Sequence, residues 1–517
     1  MKISDSKILM SSLFATGIAG IVSEYVLATL ATYFLGNSVF QWTIILSIML
    51  FSMGLGSRVS KYLTKYILEY FIGAELLLSL ITSLCALSVY STMGVIDHIE
   101  IFIYTLAILV GFLIGLEIPL VTRINGRYHD LKANISSVME KDYYGSLIGG
   151  LFFAFIGLPY LGLTYTPFVL GSINLIVALI LFYRFRKRLD VKWRKILGLS
   201  ALLITVIIIL GSYYAKPIIL FGEQSRYSEK VVYSKQTKYQ KITLTESNNQ
   251  HILYLNNSMQ LNTMDEWLYH EPLVHVPLLL TNNPKNVLIL GGGDGCGIRE
   301  VLKHDGIETI KLIDLDADMT NFGANHPVFR KLNHSSYQNE KVTVVNNDAF
   351  IELENDSNYY DVIIIDFPDP RSIELSRLYT KEMYLFCKKR LRMGGTIITQ
   401  ATSPYFQAKA YYCIEKTMAS AGLHTLPIHN HVQSFGEWGW IVGSKLLNKE
   451  LMIEKLHEID SLPIKKTLWL NPDALKMITY FGKPVGDTSA IEVNAIHNPV
   501  LFKYYIKGTQ FNQSFYE

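Results

Sequence analysis

Seven apolar stretches in the first two-fifths of the chain constrain its fold more than any other feature. They lie at residues 8–35, 42–55, 71–93, 101–121, 144–163, 167–183 and 196–213. A helix that crosses the hydrocarbon core of a bilayer takes about 20 apolar residues, and these stretches reach or approach that length. The second is short as drawn and is expected to extend to Gly56 or beyond. We therefore predict an α-helical, multi-pass transmembrane domain over residues 1–215.

Basic residues cluster after the second, fourth and sixth apolar stretches. They are Arg58, Lys61, Lys65, Arg123, Arg127, Arg184, Arg186, Lys187, Arg188, Lys192, Arg194 and Lys195. The positive-inside rule predicts that these loops face the cytoplasm. With seven crossings, the N-terminus would then be inside, and everything after Tyr213 would be outside.

The overall composition argues against several classes of protein. The net charge is only +3, which provides no basic footprint for a nucleic-acid partner. The four cysteines form neither a CxxC pair nor a Cys/His cluster, so we expect no disulfide framework and no metal site. Residues 1–7 lead into an apolar stretch that is too long for the core of a signal peptide, so we expect no cleavable signal.

After residue 215 the sequence becomes polar and alternating. The runs KITLTE (241–246) and HILYLN (251–256) flank a polar turn, which predicts a small β-meander. The stretch 264–280 then predicts a helix with Asp265 and Glu266 in its first turn. We assign residues 223–282 to a small β domain with this entry helix.

From Asn286 onward, strand-like runs alternate with helical runs. The candidate strands are VLIL (287–290), IKLIDLD (310–316), VTVVNND (342–348), DVIIIDFPDP (361–370) and GTIITQ (395–400). This rhythm predicts an α/β Rossmann-like, doubly wound parallel sheet over residues 283–445, with its site at the carboxyl ends of the strands. Residues 446–517 form a C-terminal tail to which the sequence assigns no role.

The stretch VLILGGGDGCGIRE (287–300) joins the first of these strands to a helix through glycines. Such a turn lets a ligand lie against the backbone at a helix N-terminus, although tight glycine turns also serve packing alone. The stretch lacks both GxxxxGK[ST] and an in-register GxGxxG, which argues against a P-loop and a dinucleotide fingerprint. Because Asp294 would place a carboxylate where a pyrophosphate should lie, the loop suits a ligand that carries positive charge.

Aspartates follow the first four predicted strands. They are Asp294, Asp314, Asp316, Asp348, Asp366 and Asp369. Any one of them could simply cap the helix that follows it. Four consecutive strand ends with aspartates are harder to explain by capping. They predict an anionic crevice that accommodates a nucleoside attached to a cation, together with a second cation.

Nine motifs between residues 233 and 444 resemble, in order, those of the polyamine aminopropyltransferases (spermidine synthases). They are TKYQKI (237–242), LYLNNSMQ (253–260), DEWLYHE (265–271), GGGDGCGIREVLKH (291–304), DLD (314–316), NDA (347–349), DFPDP (366–370), LYTKEMY (378–384) and FGEWGW (435–440). The apolar half is similar to the N-terminal extension of a membrane-bound branch, through GIAGIVSEYVLATLATYFLG (17–36) and SMGLGSRVSKY (52–62). The resemblance implies a sheet of the class I AdoMet-dependent transferase type.

The resemblance also implies decarboxylated S-adenosylmethionine as co-substrate, with no cofactor and no metal. The residues that it assigns to this donor are Gln240, Gln260, Asp294, Asp314, Asp348 and Ala349. Gln240 and Asp314 would hold the ribose and nearby atoms. Asp348 and Ala349 would read the adenine. Asp294 would bind the aminopropyl ammonium, with Gln260 close by.

The implied acceptor is a diamine, usually putrescine, which would give spermidine and 5′-methylthioadenosine. The residues that would surround it are Tyr269, His270, Asp366 and Asp369, with Asp366 as the proton acceptor. The chemistry agrees, because a sulfonium is already a good leaving group and the enzyme has only to present a neutral amine in line. Carboxylates must hold the distal ammonium and take a proton from the attacking end.

Four positions depart from the soluble members of the family. Phe367 and Pro368 lie inside the aspartate motif, where small polar residues are usual, as is common in the membrane-bound branch. Gln433 replaces a tyrosine near the acceptor, and Asp314 stands where glutamate is more usual. These changes concern the identity of the acceptor more than the type of reaction.

Two alternative functions stay open on the sequence. One is a methyltransferase-like enzyme that uses intact S-adenosylmethionine, although Asp294 would repel the methionine carboxylate. The other is a membrane polyamine sensor or transporter whose soluble half only binds ligand. A pure binder need not keep Asp366 and Asp369 together with Tyr269 and His270 in a catalytic arrangement.

The predicted partners are the two small-molecule substrates and a lipid bilayer, and the resemblance implies a homo-oligomer. Decarboxylated S-adenosylmethionine is a cytoplasmic metabolite, and the cysteines of the catalytic half show no disulfide pattern. We therefore predict a multi-pass protein of the cell membrane whose catalytic half faces the cytoplasm, against the span count.

Overall fold

The computed structural model describes residues 5–36, 38–93, 96, 98–126, 130–464, 466–482 and 488–513. The chain divides into two compact units, Met1–Val231 and Val232–Glu517. The first unit extends beyond the predicted boundary at residue 215 because its last helix continues to Gln224. Arg127, one of the predicted basic flank residues, lies outside the described residues.

The first unit is helical. Its helices are α1 (Asp5–Leu35), α2 (Ser38–Ser60), α3 (Ile67–Thr92), α4 (Ile99–Asn125), α5 (Leu131–Phe152), α6 (Gly162–Phe185) and α7 (Val191–Gln224). A π-helical segment, Phe153–Leu161, joins α5 to α6 without a gap. Among the described residues, six helices are long and apolar enough to cross a membrane, with Leu131–Phe185 counted as one run. The fifth and sixth predicted stretches both lie in that run.

The run Leu131–Phe185 folds back on itself. Gly145 packs against the backbone of Phe14, whereas the Arg184 guanidinium lies 2.8 Å from the Asp5 carboxylate. In one straight helix Gly145 and Arg184 would be about 58 Å apart, but Phe14 and Asp5 are only about 14 Å apart along α1. The reversal occurs near Gly162, whose φ of +63° and ψ of −172° are not helical. The run therefore passes along α1 twice, in opposite directions.

The basic residues that follow the apolar stretches lie at one end of the helical unit. There Arg184 meets Asp5 at the start of α1, and the Asp190 amide donates to Glu69 at the start of α3. Arg123, at the end of α4, donates to the Ser60 carbonyl at the end of α2. The end of α7 lies at the opposite end, where the Ser225 hydroxyl donates to the carbonyl of Met93 at 3.4 Å.

A small sheet begins the second unit, as predicted. Its strands, in the order β1-β2-β3-β4, are β1 (Lys230–Gln236), β2 (Lys241–Ser247), β3 (Gln250–Leu255) and β4 (Ser258–Asn262). The entry helix α8 (Trp267–Leu280) follows. The prediction that Asp265 and Glu266 lie in its first turn was wrong, because both precede Trp267. Asp265 instead accepts hydrogen bonds from Ser434.

The main sheet has seven strands in the order β10-β11-β9-β8-β5-β6-β7. They are β5 (Asn286–Gly291), β6 (Thr309–Asp314), β7 (Val342–Asn346), β8 (Tyr360–Asp366), β9 (Leu391–Gln400), β10 (His424–Val432) and β11 (Gly436–Ser444). The five predicted strands are parallel neighbours, and β10 and β11 add an antiparallel hairpin. The strand order reverses between β5 and β8, and at such a switch point the carboxyl ends of the strands open a crevice. The prediction of a Rossmann-like sheet is confirmed for this unit.

Helices cover both faces of the main sheet. They are α9 (Cys296–Val301), α10 (Ala317–Asn325), α11 (Pro327–Leu332), α12 (Ala349–Asn355), α13 (Ile373–Ser376), α14 (Lys381–Arg390), α15 (Ala408–Ser420), α16 (Lys449–His457), α17 (Pro472–Met477) and α18 (Val500–Gln513). The strand side chains alternate between two cores: Leu288 and Ile363 point into one, and Val287 and Ile364 into the other. The tail helices α16, α17 and α18 pack into these two cores, so the tail is part of the catalytic fold.

Candidate active site

The glycine loop after β5 is pressed against the end of β8. Gly291 has φ +81°, and a Cβ there would lie 2.2 Å from the Asp366 carbonyl oxygen. The Gly292 amide donates to that same oxygen at 3.2 Å. Only glycine accepts this backbone conformation without strain at so close an approach. The loop thereby brings Asp294 and Asp366 to one place.

Asp366 is the centre of the candidate site. The Tyr269 hydroxyl donates to its Oδ1 at 2.6 Å. Carboxylate or imidazole atoms of Asp366, His270 and Asp294 all lie within 4.8 Å of one another. Burial raises the pKa of Asp366 to about 6, with the His270 charge opposing this rise and the Asp294 charge adding to it. A carboxylate with such a pKa can accept a proton near neutral pH.

His270 is held as a cation by Glu266. Its Nδ1 lies 2.8 Å from Glu266 Oε2, and its Nε2 lies 3.9 Å from Asp294 Oδ1. Burial alone would lower the pKa of His270, but the hydrogen bond and charge of Glu266, followed by the charges of Asp294 and Asp366, raise it to about 9. The family resemblance assigns His270 to the acceptor. In the structure His270 pairs with Glu266, a residue to which the motifs assign no role in the site.

Glu266 is in turn hydrogen-bonded to Arg299. The guanidinium donates to both carboxylate oxygens, at 2.8 and 2.9 Å. Burial would raise the pKa of Glu266, but His270 and Arg299 lower it to about 2. The i, i+4 spacing of Glu266 and His270 was a signal in the sequence for the first of these pairs.

Among the residues that the structure describes, two groups of side chains lie close enough together to suggest a metal ion. They are Glu266, His270 and Cys296, and His270, Asp294 and Asp366. Metal ligands have to be deprotonated. His270 keeps its proton near neutral pH, and burial raises the pKa of the Cys296 thiol well above its usual value. These groups therefore suit an ammonium-binding crevice better than a metal site.

The predicted ribose site lies at the end of β6. Burial raises the pKa of Asp314 to about 6, and its Oδ1 accepts the amide of Asp316 at 2.8 Å. The side chain of Gln240 donates to Asp316 Oδ2 at 3.0 Å, and Thr237 donates to the same oxygen at 2.7 Å. Gln240 is therefore anchored by Asp316, which stands beside Asp314 on the same loop.

Helix capping accounts for some of the aspartates that follow the strands. Asp348 caps α12, because its Oδ1 accepts the Phe350 amide at 2.8 Å, and its Oδ2 lies 3.3 Å from Arg377. Ala349 is the buried first residue of that helix. Asp316 caps α10 in the same way, and Asp294 Oδ1 accepts the Cys296 amide at 2.7 Å.

Two further predicted residues are held by local partners. Gln260, on β4, donates to the carbonyl and hydroxyl of Ser258 at 3.3 and 3.2 Å. Asp369 is 7% exposed, and its Oδ2 accepts the hydroxyl of Tyr505 at 2.8 Å. Tyr505 lies in the C-terminal tail, to which the motifs assign no role in the site.

The family description "Spermine/spermidine synthase domain" matches residues 266–454. Over 506 residues the chain is 40% identical to polyamine aminopropyltransferase 2 of Aquifex aeolicus, covering 98% of this chain and 99% of that protein. It is 38% identical over 490 residues to the polyamine aminopropyltransferase of Leptospira interrogans, covering 94% and 95%. The solved spermidine synthase of Thermotoga maritima aligns with a TM-score of 0.44 at 26% identity, over 49% of this chain and 84% of that one.

Both full-length matches include the helical unit as well as the catalytic half. The chain therefore belongs to the polyamine aminopropyltransferase family.

Proposed function

We propose that this enzyme transfers the aminopropyl group of decarboxylated S-adenosylmethionine to putrescine, giving spermidine and 5′-methylthioadenosine. The observation that carries the proposal is the arrangement around Asp366, a half-buried carboxylate whose pKa desolvation raises to about 6, which Tyr269 orients and which lies near Asp294. Such a site combines a proton acceptor with negative charge for ammonium groups.

The proposed step is a direct displacement. The neutral amine attacks the propyl carbon next to sulfur, a C–N bond forms, and the C–S bond breaks with its electron pair going to sulfur. The attacking nitrogen then releases a proton to Asp366. Positioning in line, with the proton acceptor in reach, is what the protein has to supply.

We assign the donor to the crevice between β5, β6 and β7. Asp294 would hold its ammonium, Asp314 its ribose hydroxyls, and Asp348 with Ala349 the adenine. The support is that Asp314 is half-buried at the end of β6 and that desolvation raises its pKa to about 6. Gln240 and Gln260 would act at the edge of this pocket. The acceptor would lie between Tyr269, His270, Asp366 and Asp369.

A transfer assay tests the proposed function. Purified full-length protein is incubated with decarboxylated S-adenosylmethionine and putrescine, and products are identified by mass spectrometry. Spermidine and 5′-methylthioadenosine in equal amounts are expected. The matched control replaces the donor with intact S-adenosylmethionine. A methylated amine in that control would favour a methyltransferase, and absence of turnover with both donors would favour a ligand-binding sensor or transporter.

We further propose that the helical unit spans the cell membrane and that the enzyme forms a homo-oligomer. The support for the first is the set of six helices of sufficient length and apolarity. The support for the second is the family resemblance alone, and light scattering of the detergent-solubilised protein tests it.

We propose that the catalytic half faces the cytoplasm, where the donor is made. The basic flanks, gathered at the end of the unit opposite to the end of α7, argue for the other side through the positive-inside rule. We give the cytoplasmic supply of the donor more weight than the positive-inside rule, because the enzyme cannot catalyse the transfer without its donor. A reporter that is active only in the cytoplasm, fused after Glu517, should be active; activity of a periplasm-only reporter there would contradict the proposal.

A further inference from the structure

The C-terminal helix α18 contributes a side chain to the acceptor end of the site. Tyr505 is 6% exposed, and its hydroxyl donates to Asp369 Oδ2 at 2.8 Å across 136 residues of sequence. Asp369 lies on the loop that begins directly after Asp366, the last residue of β8. The tail of the chain therefore holds the carboxylate of this loop.

Asp369 is fixed on both of its oxygens. On the Oδ1 side, the Gln400 amide nitrogen lies at 3.4 Å; on the Oδ2 side, the Arg371 guanidinium lies at 3.4 Å and Tyr505 is closer, at 2.8 Å. A carboxylate that is 7% exposed and has donors on both sides cannot turn freely. Its orientation is therefore set mainly by the shortest of these contacts, the one with Tyr505.

Helix α18 is itself anchored, so Tyr505 is held in place. Leu501 is completely buried, and its amide donates to Asn494 Oδ1 at 3.3 Å. The Asn494 side chain donates in turn to the carbonyls of Ser376 and Tyr379, at 2.8 and 3.1 Å. These carbonyls belong to the segment that follows Asp369. Helix α18 is therefore linked to this part of the chain twice, directly through Tyr505 and indirectly through Asn494.

We propose that Tyr505 is a positioning residue that aims Asp369 at the distal ammonium of the acceptor and so sets the preference for diamines over monoamines. The proposal rests on the proposed aminopropyl transfer. Asp366 serves the attacking nitrogen, so a second carboxylate has to hold the far end of a diamine. A neutral hydroxyl orients that carboxylate without cancelling its charge. The Arg371 guanidinium lies 3.4 Å from the same carboxylate oxygen, but its side chain is 46% exposed, so water screens part of its charge.

The test compares Tyr505→Phe with wild type and with the matched control Tyr504→Phe, all as full-length protein. Tyr504 is the neighbouring tyrosine on α18, and its hydroxyl contacts the Glu492 amide rather than the site. KM for putrescine, KM for the donor, kcat, and the inhibition constant of n-butylamine are measured. Since n-butylamine has no distal ammonium, it reports on the attacking end alone.

In Tyr505→Phe, KM for putrescine is expected to rise about tenfold, as when a hydrogen bond to a charged group is lost. The inhibition constant of n-butylamine, the donor KM and kcat should stay within about twofold, because only binding of the distal ammonium is affected. Tyr504→Phe should match wild type. An unchanged KM for putrescine, or an equal loss for putrescine and n-butylamine, would overturn the proposal.

Failure of the underlying function is recognised separately, because wild-type protein would then form no product. If Tyr505→Phe does not fold, Asp369→Asn takes its place, since it keeps the shape of the side chain and removes its charge. That variant should lose the preference for putrescine over n-butylamine, and retention of the preference would overturn the proposal. If both variants fold, their effects on KM for putrescine should not add in the double variant.

Discussion

Replacing Glu266 by glutamine should shift the pH dependence of catalysis, although Glu266 is not expected to touch either substrate. Glu266 holds His270 as a cation at neutral pH against the effect of burial. Without the carboxylate, the pKa of His270 falls, because only the charges of Asp294 and Asp366 then oppose the effect of burial. The His270 cation in turn lowers the pKa of Asp366. Its loss therefore raises the pKa of Asp366 above 6, and Asp366 accepts a proton only at pH values above its pKa.

The size of this shift follows from the distance. Ligand atoms of His270 and Asp366 lie within 4.8 Å of each other. Two unit charges at that distance interact by about 3.5 kcal/mol at an effective dielectric constant of about 20, which corresponds to roughly two and a half pKa units. We take one to two units as the expected shift, because water and the other charges screen the pair. The rate at pH 7 should then fall about two- to tenfold and recover by pH 9.

The assay is the pH profile of kcat/KM for the donor between pH 5.5 and 9, which reports the ionisation of the free enzyme. Glu271→Gln is the matched control. It is the same substitution at a fully buried glutamate of α8, but Glu271 accepts the backbone amides of Leu468, Trp469 and Leu470. The control should lose thermal stability, but the pH at which kcat/KM falls on the acidic side of its profile should not change. If the fall of kcat/KM at low pH occurs at the same pH in Glu266→Gln as in wild type, or at a lower pH, then Glu266 does not act on Asp366 through the charge of His270.

Two further predictions concern the glycine loop. Asp294→Ala should weaken binding of decarboxylated S-adenosylmethionine but not of 5′-methylthioadenosine, because only the former has the propylamine; calorimetric titration checks this, and equal losses would make Asp294 structural. Gly291→Ala should lower the midpoint of thermal unfolding by about 4–8 °C, because an alanine there is strained at φ +81° and overlaps the Asp366 carbonyl. Gly394→Ala is its control, since a Cβ at Gly394 meets nothing within 4 Å, and similar midpoints for the two variants would contradict the argument.

The main sheet and the position of the site followed from the sequence. The runs before Asp294, Asp314 and Asp366 are apolar and short, which is typical of buried parallel strands. Since such strands share an edge, aspartates that are distant in sequence could be placed together without coordinates. The start of α8 was misplaced by three residues because the acidic pair before Trp267 resembles the first turn of a helix but precedes the helix.

The partners of individual side chains did not follow from the sequence. The family resemblance assigns Gln240 to the donor but does not reveal that its side-chain amide donates to Asp316. Tyr505 could not be found, because its contact with Asp369 depends on how the tail packs rather than on any local pattern. The reversal near Gly162 agrees with the boundary between the fifth and sixth apolar stretches at residues 163 and 167, but the π-helical segment Phe153–Leu161 before it was not expected.

The most direct test of the central claim, that Asp366 accepts the proton of the attacking amine, is turnover by Asp366→Asn measured together with its affinity for the donor. The amide keeps the shape of the side chain but cannot take the proton. We expect kcat to fall by roughly a hundred- to ten-thousand-fold, while the Kd for decarboxylated S-adenosylmethionine changes only a few-fold. Near-normal turnover in this variant would contradict the claim.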